Sequence, residues 1–332
     1  MRRLRWLFFC CTLSYSAFAD PLPSSDTLLE KVGYSPAEVA SIKAGEIVRR
    51  ETEGASNRDL NLGYAFFVKA TPAALNKELT DGVLQAVDPN SLATGVLTGA
   101  SSVGAFAKLT LTPGADSRAK QYVSAKPGAD LNLSSDELDR FNGLGPGATR
   151  EVVEKQLRAA LLERYRAYRA KGLDGIADYQ RADGARRSPH DELTQVMNAI
   201  QLQDFAPKAW ASMMHYPAER VPGTRENYRW EQFKVDGVPT IALTHGLSVP
   251  NGDAFLVLQR QFYVSEGFNC EQAIVALLPV EGGTMVIFSN HTSTDKVEGF
   301  PSGIKRSIGR GIVAKQLEGL FAKLQRRTRV VQ

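Results

Sequence analysis

The chain has 332 residues, of which 43% are hydrophobic and 23% are charged. Its 40 Lys and Arg nearly balance its 36 Asp and Glu, so the composition does not favour a nucleic-acid-binding surface. The length is ample for a hydrophobic core, in one large domain or in a domain that carries an insertion.

The first nineteen residues have the pattern of a secretory signal peptide. Arg2, Arg3 and Arg5 precede an apolar run, and Ala17-Phe18-Ala19 forms a small-x-small cleavage site. We therefore expect a signal peptide over 1–19 and a periplasmic protein, with secretion as the alternative. No later apolar run is long enough to span a bilayer.

The first elements after this segment are a helix, two strands and a second helix. Ser35-Pro36-Ala37-Glu38 predicts a helix start, because Ser caps the helix and Glu bonds back to the cap. The runs Glu46–Thr52 and Leu62–Ala70 predict strands, and Thr71-Pro72 caps a helix to about Thr80. A weaker alternation predicts strands at Val103–Leu111 and Gln121–Ala125. Ser134-Ser135-Asp136-Glu137 is a second capping box and predicts a short helix.

A helical block follows from about 149 to 214 and separates two β-containing parts. Apolar residues recur at three- and four-residue spacing from Thr149 to Lys171, which predicts a long amphipathic helix that ends at Gly172. Ser188 then caps a helix to about Leu202, and Phe205–Met214 is expected to be helical as well.

The region 228–324 contains strand-like runs at hairpin spacing and one long closing helix. Short turns join the runs, so neighbouring strands are expected to be antiparallel. The predicted strands are Tyr228–Val235, Val238–Val249, Ala254–Val264, Cys270–Pro279 and Thr284–Thr292. The helix, from Ser302 to about Leu324, carries Ile308 and Ile312 on one apolar stripe, and its several glycines suggest close approach to the sheet or to a ligand.

Two segments resemble the START-like, or SRPBCC, helix-grip superfamily. Phe66 to Asp81 is similar to its first strand running into a helix through a Thr-Pro cap. The strands from Tyr228 to Thr292, followed by the helix from Ser302, are similar to its closing module. The resemblance covers about half of the chain and implies an α+β fold. In that fold a curved antiparallel sheet packs on a long C-terminal helix around a hydrophobic cavity, here with a helical insertion at 149–214 in one domain over 20–332.

Two polar side chains on the predicted strands lie on otherwise apolar faces. His245 shares its face with Leu243, and Arg260 shares its face with Leu258. These four residues, with Ile308 and Ile312, are the candidates for the lining of a ligand cavity. The alternatives are a core histidine satisfied by neighbouring groups and an arginine held by a salt bridge.

The resemblance implies binding of a lipid or another hydrophobic small molecule without an obligatory reaction. A hydrolase or cyclase that uses the same cavity, and a structural envelope protein with a filled core, remain alternatives. Peripheral contact of the basic C-terminal tail with an anionic membrane is a further alternative. Cys270, the one cysteine outside the signal segment, is expected to be an inert packing residue, and neither a cofactor nor a metal site is predicted.

Overall fold

The structure is a computed structural model that describes residues 22–51, 54–112, 114–128, 130–297, 311, 314–315 and 317–326. The predicted signal peptide lies outside these residues, as do Ile308 and Ile312 of the closing helix.

An eight-stranded antiparallel sheet forms the centre of the described fold. Its spatial order is β1-β2-β10-β9-β8-β7-β6-β3. The strands are β1 (Val48–Arg50), β2 (Asp59–Val68), β3 (Ser91–Leu97), β6 (Arg225–Val235), β7 (Val238–Asn251), β8 (Ala254–Val264), β9 (Cys270–Val280) and β10 (Gly283–Ser293). A separate small hairpin consists of β4 (Tyr179–Gln180) and β5 (Arg186–Arg187).

The five predicted strands of the C-terminal region are confirmed, and they form the meander β6 to β10. Short turns force each pair to be antiparallel, and Asp236-Gly237 between β6 and β7 adopts positive φ at both residues. Strands from distant parts of the sequence extend this meander on both sides: β2 pairs with β10, and β3 pairs with β6.

Ten α-helices and a C-terminal helical segment, residues 317–326, surround the sheet in the described part of the chain. The helices are α1 (Ser25–Lys31), α2 (Pro36–Lys43), α3 (Pro72–Thr80), α4 (Val83–Val87), α5 (Ala115–Val123), α6 (Ser135–Asn142), α7 (Arg150–Lys171), α8 (Pro189–Ala199), α9 (Leu202–Phe205) and α10 (Pro207–Met214). Within the described ranges no helix is both long and apolar enough to cross a membrane.

Local capping chemistry explains why several helices begin where the sequence predicts. Ser35 and Ser134 each accept from a backbone N–H three residues later and form complete capping boxes with Glu38 and Glu137. Thr71 caps α3 through the backbone N–H of Ala74. The predicted long helix is confirmed as α7, which spans 22 residues.

The sheet has two faces, because successive side chains point to opposite sides. One face, the insertion face, is covered by α1, α2 and α7 to α10, and the other, the C-terminal face, by α3 and residues 317–326. One row of cross-strand partners on the insertion face is Tyr228, His245, Arg260, Gln272 and His291. The neighbouring row on the C-terminal face is Arg229, Thr244, Gln261, Glu271 and Thr292.

The predictions for the region after α4 are wrong. Val103–Phe106 is a 3₁₀ turn and Ala115–Val123 is a helix, so neither predicted strand exists there. The strand of this region is β3, which contains Gly95. Glycine disfavours strands when propensity alone is considered, but here it lies opposite Trp230 in the pairing of β3 with β6.

Gly95 gives a stability test of this pairing. A Cβ at Gly95 would overlap the indole of Trp230, which is fully buried and donates to the Ala105 carbonyl at 2.9 Å. We expect Gly95→Ala to lower the free energy of unfolding by about 1–3 kcal/mol in urea denaturation, because the indole must shift. Val96→Ala, at a neighbouring exposed position, serves as control and is expected to change it by less than about 0.5 kcal/mol. Equal effects of the two would contradict the close packing.

Candidate functional site

A cavity of about 530 Å³ lies between the C-terminal face of the sheet and the helical segment 317–326. We call it the C-terminal cavity. Strands β2, β6, β8, β9 and β10 contribute to its wall, together with residues that follow α4. Its described apolar lining includes Leu60, Phe233, Phe268, Ala273, Phe288, Leu317, Leu320 and Phe321. A volume of this size is typical of small-molecule sites.

Aromatic packing holds the helical segment against the sheet beside this cavity. The Phe321 ring lies 5.3 Å from that of Tyr64, 4.8 Å from that of Phe66 and 5.0 Å from that of Phe288, measured between centroids. Phe321 is 3% exposed, so the segment contributes to the core as well as to the cavity wall. Tilted and edge-on rings at these distances are favourable beyond their burial alone.

Polar side chains from four strands line the sheet side of the C-terminal cavity. They come from alternating positions, which places them together on the C-terminal face. They are Glu231 on β6, Gln259 and Gln261 on β8, Glu271 on β9, and Asn290 and Thr292 on β10. A few polar groups within an apolar wall are what orients a bound molecule.

Glu271 is held by donors from the neighbouring strand. Thr292 Oγ1 donates to Glu271 Oε2 at 3.1 Å, and Asn290 Nδ2 donates to the same oxygen at 3.5 Å. Burial nevertheless raises the pKa of this carboxyl above its ordinary value, because desolvation outweighs the two hydrogen bonds.

Glu231 is less well satisfied. Its side chain is buried, and Oε1 makes no hydrogen bond within the described residues. The Arg229 Nε lies 4.0 Å from this oxygen, but the Arg229 guanidinium donates to Gln85 Oε1 and to the Thr80 carbonyl, each at 2.9 Å. Burial, reinforced by the nearby Glu271 carboxylate, raises the pKa of Glu231 to about 7 despite Arg229.

The four predicted lining residues that the structure describes lie on the insertion face, away from the C-terminal cavity. His245, Arg260, Leu243 and Leu258 are completely buried. None of the four is among the described residues that line either large cavity of the structure. Alternation groups His245 with Leu243 and Arg260 with Leu258, and the pairing of β7 with β8 brings the two polar residues to one face, which packs on the helical insertion. Ile308 and Ile312 lie outside the described residues.

His245 belongs to a buried network with tyrosines and one carboxylate. Its Nδ1 lies 2.9 Å from the Tyr168 hydroxyl, and its Nε2 lies 3.2 Å from Glu226 Oε1. Burial lowers the pKa of His245 to about 4, so the imidazole is neutral at pH 7. The pKa of Glu226 falls to about 2, because His245, Tyr216 and Tyr228 stabilise its charge.

Arg260 donates to neighbouring protein groups through Nε and Nη1, whereas its buried Nη2 has no hydrogen-bond partner in the described structure. Its Nε donates to Gln272 Oε1 at 3.0 Å, and Nη1 donates to the Met213 carbonyl at 3.0 Å. These contacts join β8 to β9 and to α10 across the insertion face. These two hydrogen-bond partners of Arg260 are thus a carbonyl and an amide, whereas the alternative considered from the sequence is a salt bridge.

A second cavity, of about 490 Å³, lies on the insertion face beside α1 and α9, and we call it the N-terminal cavity. Its described lining includes Leu28, Tyr34, Arg50, Asn61, Leu202, Ala276, Ser289 and His291. His291 Nδ1 lies 2.7 Å from Asp59 Oδ2, and both side chains are buried. The carboxylate orients the imidazole by accepting from Nδ1.

Cys270 is buried and lies 3.7 Å from Glu192 through its Sγ atom. Burial raises the pKa of this thiol, which disfavours the nucleophilic thiolate. Among the residues that the structure describes, no three His, Cys, Asp or Glu side chains are placed to share a metal ion.

Glu231 and Glu271, two of the four acids that line the C-terminal cavity, were missed from the sequence. Glu231 lies on the strand face opposite to that of Tyr228 and Trp230. Such an alternation of polar and apolar residues is typical of a strand with one solvent-exposed face. A usable signal is the repeated Gln, Asn and Thr at alternating positions of β8 and β10, where a solvent face more often carries Lys and Glu.

Comparison of the chain with protein-family models, curated proteins and solved structures finds no match.

Proposed function

We propose that this chain is an exported, START-like protein that binds a lipid or another hydrophobic small molecule in the C-terminal cavity. The observation that carries the proposal is the cavity itself, which combines an apolar wall with a few polar groups between the sheet and residues 317–326.

The strand order supports the helix-grip part of the proposal. β2 runs through α3 and α4 to β3, at the far edge of the sheet, and the meander β6 to β10 then returns to pair with β2. The helical insertion follows β3 and covers the insertion face, so it leaves the C-terminal face available for residues 317–326.

Export to the periplasm is the second part of the proposal, and it rests on the basic, apolar and small-residue order of residues 1–19. Fractionation of the native host tests it: we expect the protein in the periplasmic fraction, shortened at its N-terminus. Recovery of the full-length chain from the cytoplasm would contradict export.

Native mass spectrometry of protein purified from its own host tests ligand binding, followed by organic extraction of the bound molecule. Ala273→Leu fills the C-terminal cavity from β9, and Ala276→Leu fills the N-terminal cavity from the other face of the same strand. We expect Ala273→Leu to reduce bound ligand about ten-fold or more, the equivalent of at least about 1.4 kcal/mol, and Ala276→Leu to retain it. Loss of ligand only in Ala276→Leu would move the site to the N-terminal cavity.

A further inference from the structure

The sheet wall of the C-terminal cavity contains two buried hydrogen-bond acceptors that are unpaired in the described structure. Glu231 Oε1 and Gln261 Oε1 are buried atoms without a hydrogen-bond partner in the described structure. The neighbouring donors are engaged, since Thr292 and Asn290 both donate to Glu271. Buried polar groups cost free energy when unpaired, so a bound molecule that supplies donors to this wall is favoured.

Acidic groups outnumber basic ones on the wall of the C-terminal cavity, and among its described charged lining residues Glu231 is the one that is buried. Four carboxyl groups and two ammonium groups occur among the described lining residues. Lys296 is an exposed side chain that pairs with the exposed Asp236 at 3.2 Å, and Lys234 is half-buried on β6. Arg229 is committed to Gln85 and Thr80, so it does not provide a full counter-ion for Glu231.

Resting on the proposed function, we propose that the C-terminal cavity takes a lipophilic amine, with Glu231 as counter-ion for its ammonium group and Gln261 as a second acceptor. The hydrocarbon part lies against the phenylalanine and leucine side chains of the opposite wall. A fatty carboxylate or a phosphate headgroup is disfavoured, because it adds negative charge beside Glu231 and Glu271.

The charge state of Glu231 sets the condition for the test. The charged and titratable groups that act on it are Arg229 on its own strand, Glu271 on β9 and Asp88 after α4. Arg229 favours the charged form, and the two carboxylates oppose it. Because its pKa is about 7, Glu231 is mostly ionised at pH 8 and an ammonium group is then its natural partner.

Isothermal titration at pH 8 with octylamine, octan-1-ol and octanoate separates the effect of the headgroup from that of the chain. We expect octylamine to bind at least about ten-fold more tightly than the other two, as for a buried charge-assisted hydrogen bond. Glu231→Gln is expected to remove this preference and to retain octan-1-ol binding, which also shows that the variant is folded. Glu281→Gln, an exposed acid in the β9–β10 turn, is the control and should bind as the wild type does.

The possible results distinguish this inference from the function on which it rests. Binding of octan-1-ol or octanoate as tightly as octylamine, with all binding lost in Ala273→Leu, would overturn the amine preference and keep the cavity. A preference for octylamine that persists in Glu231→Gln would overturn the role of that residue. If none of the three binds, or if Ala273→Leu binds all three unchanged, the proposed function fails together with the inference.

Discussion

Glu137→Gln is expected to lower the free energy of unfolding by about 3–5 kcal/mol, because it leaves the Arg164 guanidinium buried without its counter-ion. The two side chains are only 7% and 4% exposed, with Arg164 Nε donating to Glu137 Oε1 at 2.6 Å. The Arg164 guanidinium also lies 4.3 Å from the ring centroid of Tyr263 on β8. Burial alone would raise the pKa of Glu137, but Arg164 and Ser134 outweigh it and lower that pKa. Urea denaturation at pH 7 measures the loss.

Two further variants give this prediction its controls. Glu163→Gln breaks the exposed Arg140–Glu163 pair, which joins the same two helices, and is expected to cost less than about 1 kcal/mol. The double variant Glu137→Gln/Arg164→Met removes the stranded charge and should regain at least half of the stability lost by Glu137→Gln alone. A double variant less stable than Glu137→Gln would show that the cost does not come from an uncompensated charge.

The elements that the sequence predicts well are those specified by local chemistry. The capping boxes at Ser35 and Ser134 bring together groups only three residues apart, and the turns of the β6–β10 meander are equally local. Strand β3 was missed because its stability comes from pairing with β6, a contact across more than a hundred residues. Gly95 has a low strand propensity. A glycine is needed there because the indole of Trp230, distant in sequence, occupies the space of a Cβ atom.

The position of the candidate site depended on a second long-range feature. Alternation along β7 and β8 places His245 and Arg260 each on an apolar face of its own strand, but it does not say which layer covers that face. Helices of the insertion cover it, with Tyr168 against His245 and Met213 against Arg260. The C-terminal helical segment covers the other face, where Glu231 and its neighbours lie. Only the three-dimensional arrangement of the layers assigns the polar wall to the cavity.

Glu231→Gln is expected to stabilise the ligand-free protein progressively as the pH rises. The pKa of Glu231 is raised from 4.5 to about 7 in the folded state. Between these values the folded state holds the Glu231 proton more tightly than the unfolded state does, so the contribution of Glu231 to the unfolding free energy of the wild type falls with increasing pH. The contribution is fully present below pH 4.5 and is lost as the pH rises through 7. At about 1.4 kcal/mol per pKa unit, the difference between variant and wild type should grow by roughly 3 kcal/mol from pH 4.5 to pH 8.

Urea denaturation of both proteins across this range measures the difference directly. Groups such as His245 and Glu226 titrate in both proteins, so their contributions cancel in the comparison. The exposed Glu281→Gln substitution is the control and should change the free energy of unfolding at pH 8 by less than about 0.5 kcal/mol. A difference between Glu231→Gln and the wild type that is constant with pH would show that the carboxyl is not raised in the folded state. A difference that decreases with pH would show that Arg229 makes the buried charge favourable.

At pH 8 the ionised Glu231 lowers the free energy of unfolding of the ligand-free protein. A cationic ligand can restore this free energy. An ammonium group beside the carboxylate removes the unfavourable unpaired charge, and binding to the native state alone adds stability by mass action. Saturating octylamine should therefore raise the midpoint of urea unfolding more in the wild type than in Glu231→Gln, and more at pH 8 than at pH 5. Octan-1-ol should raise the midpoints of the two proteins equally. Residues retained for binding commonly lower the stability of the ligand-free protein. An equal rise of the unfolding midpoint with octylamine in both proteins would show that the destabilisation by Glu231 has no connection with ligand binding.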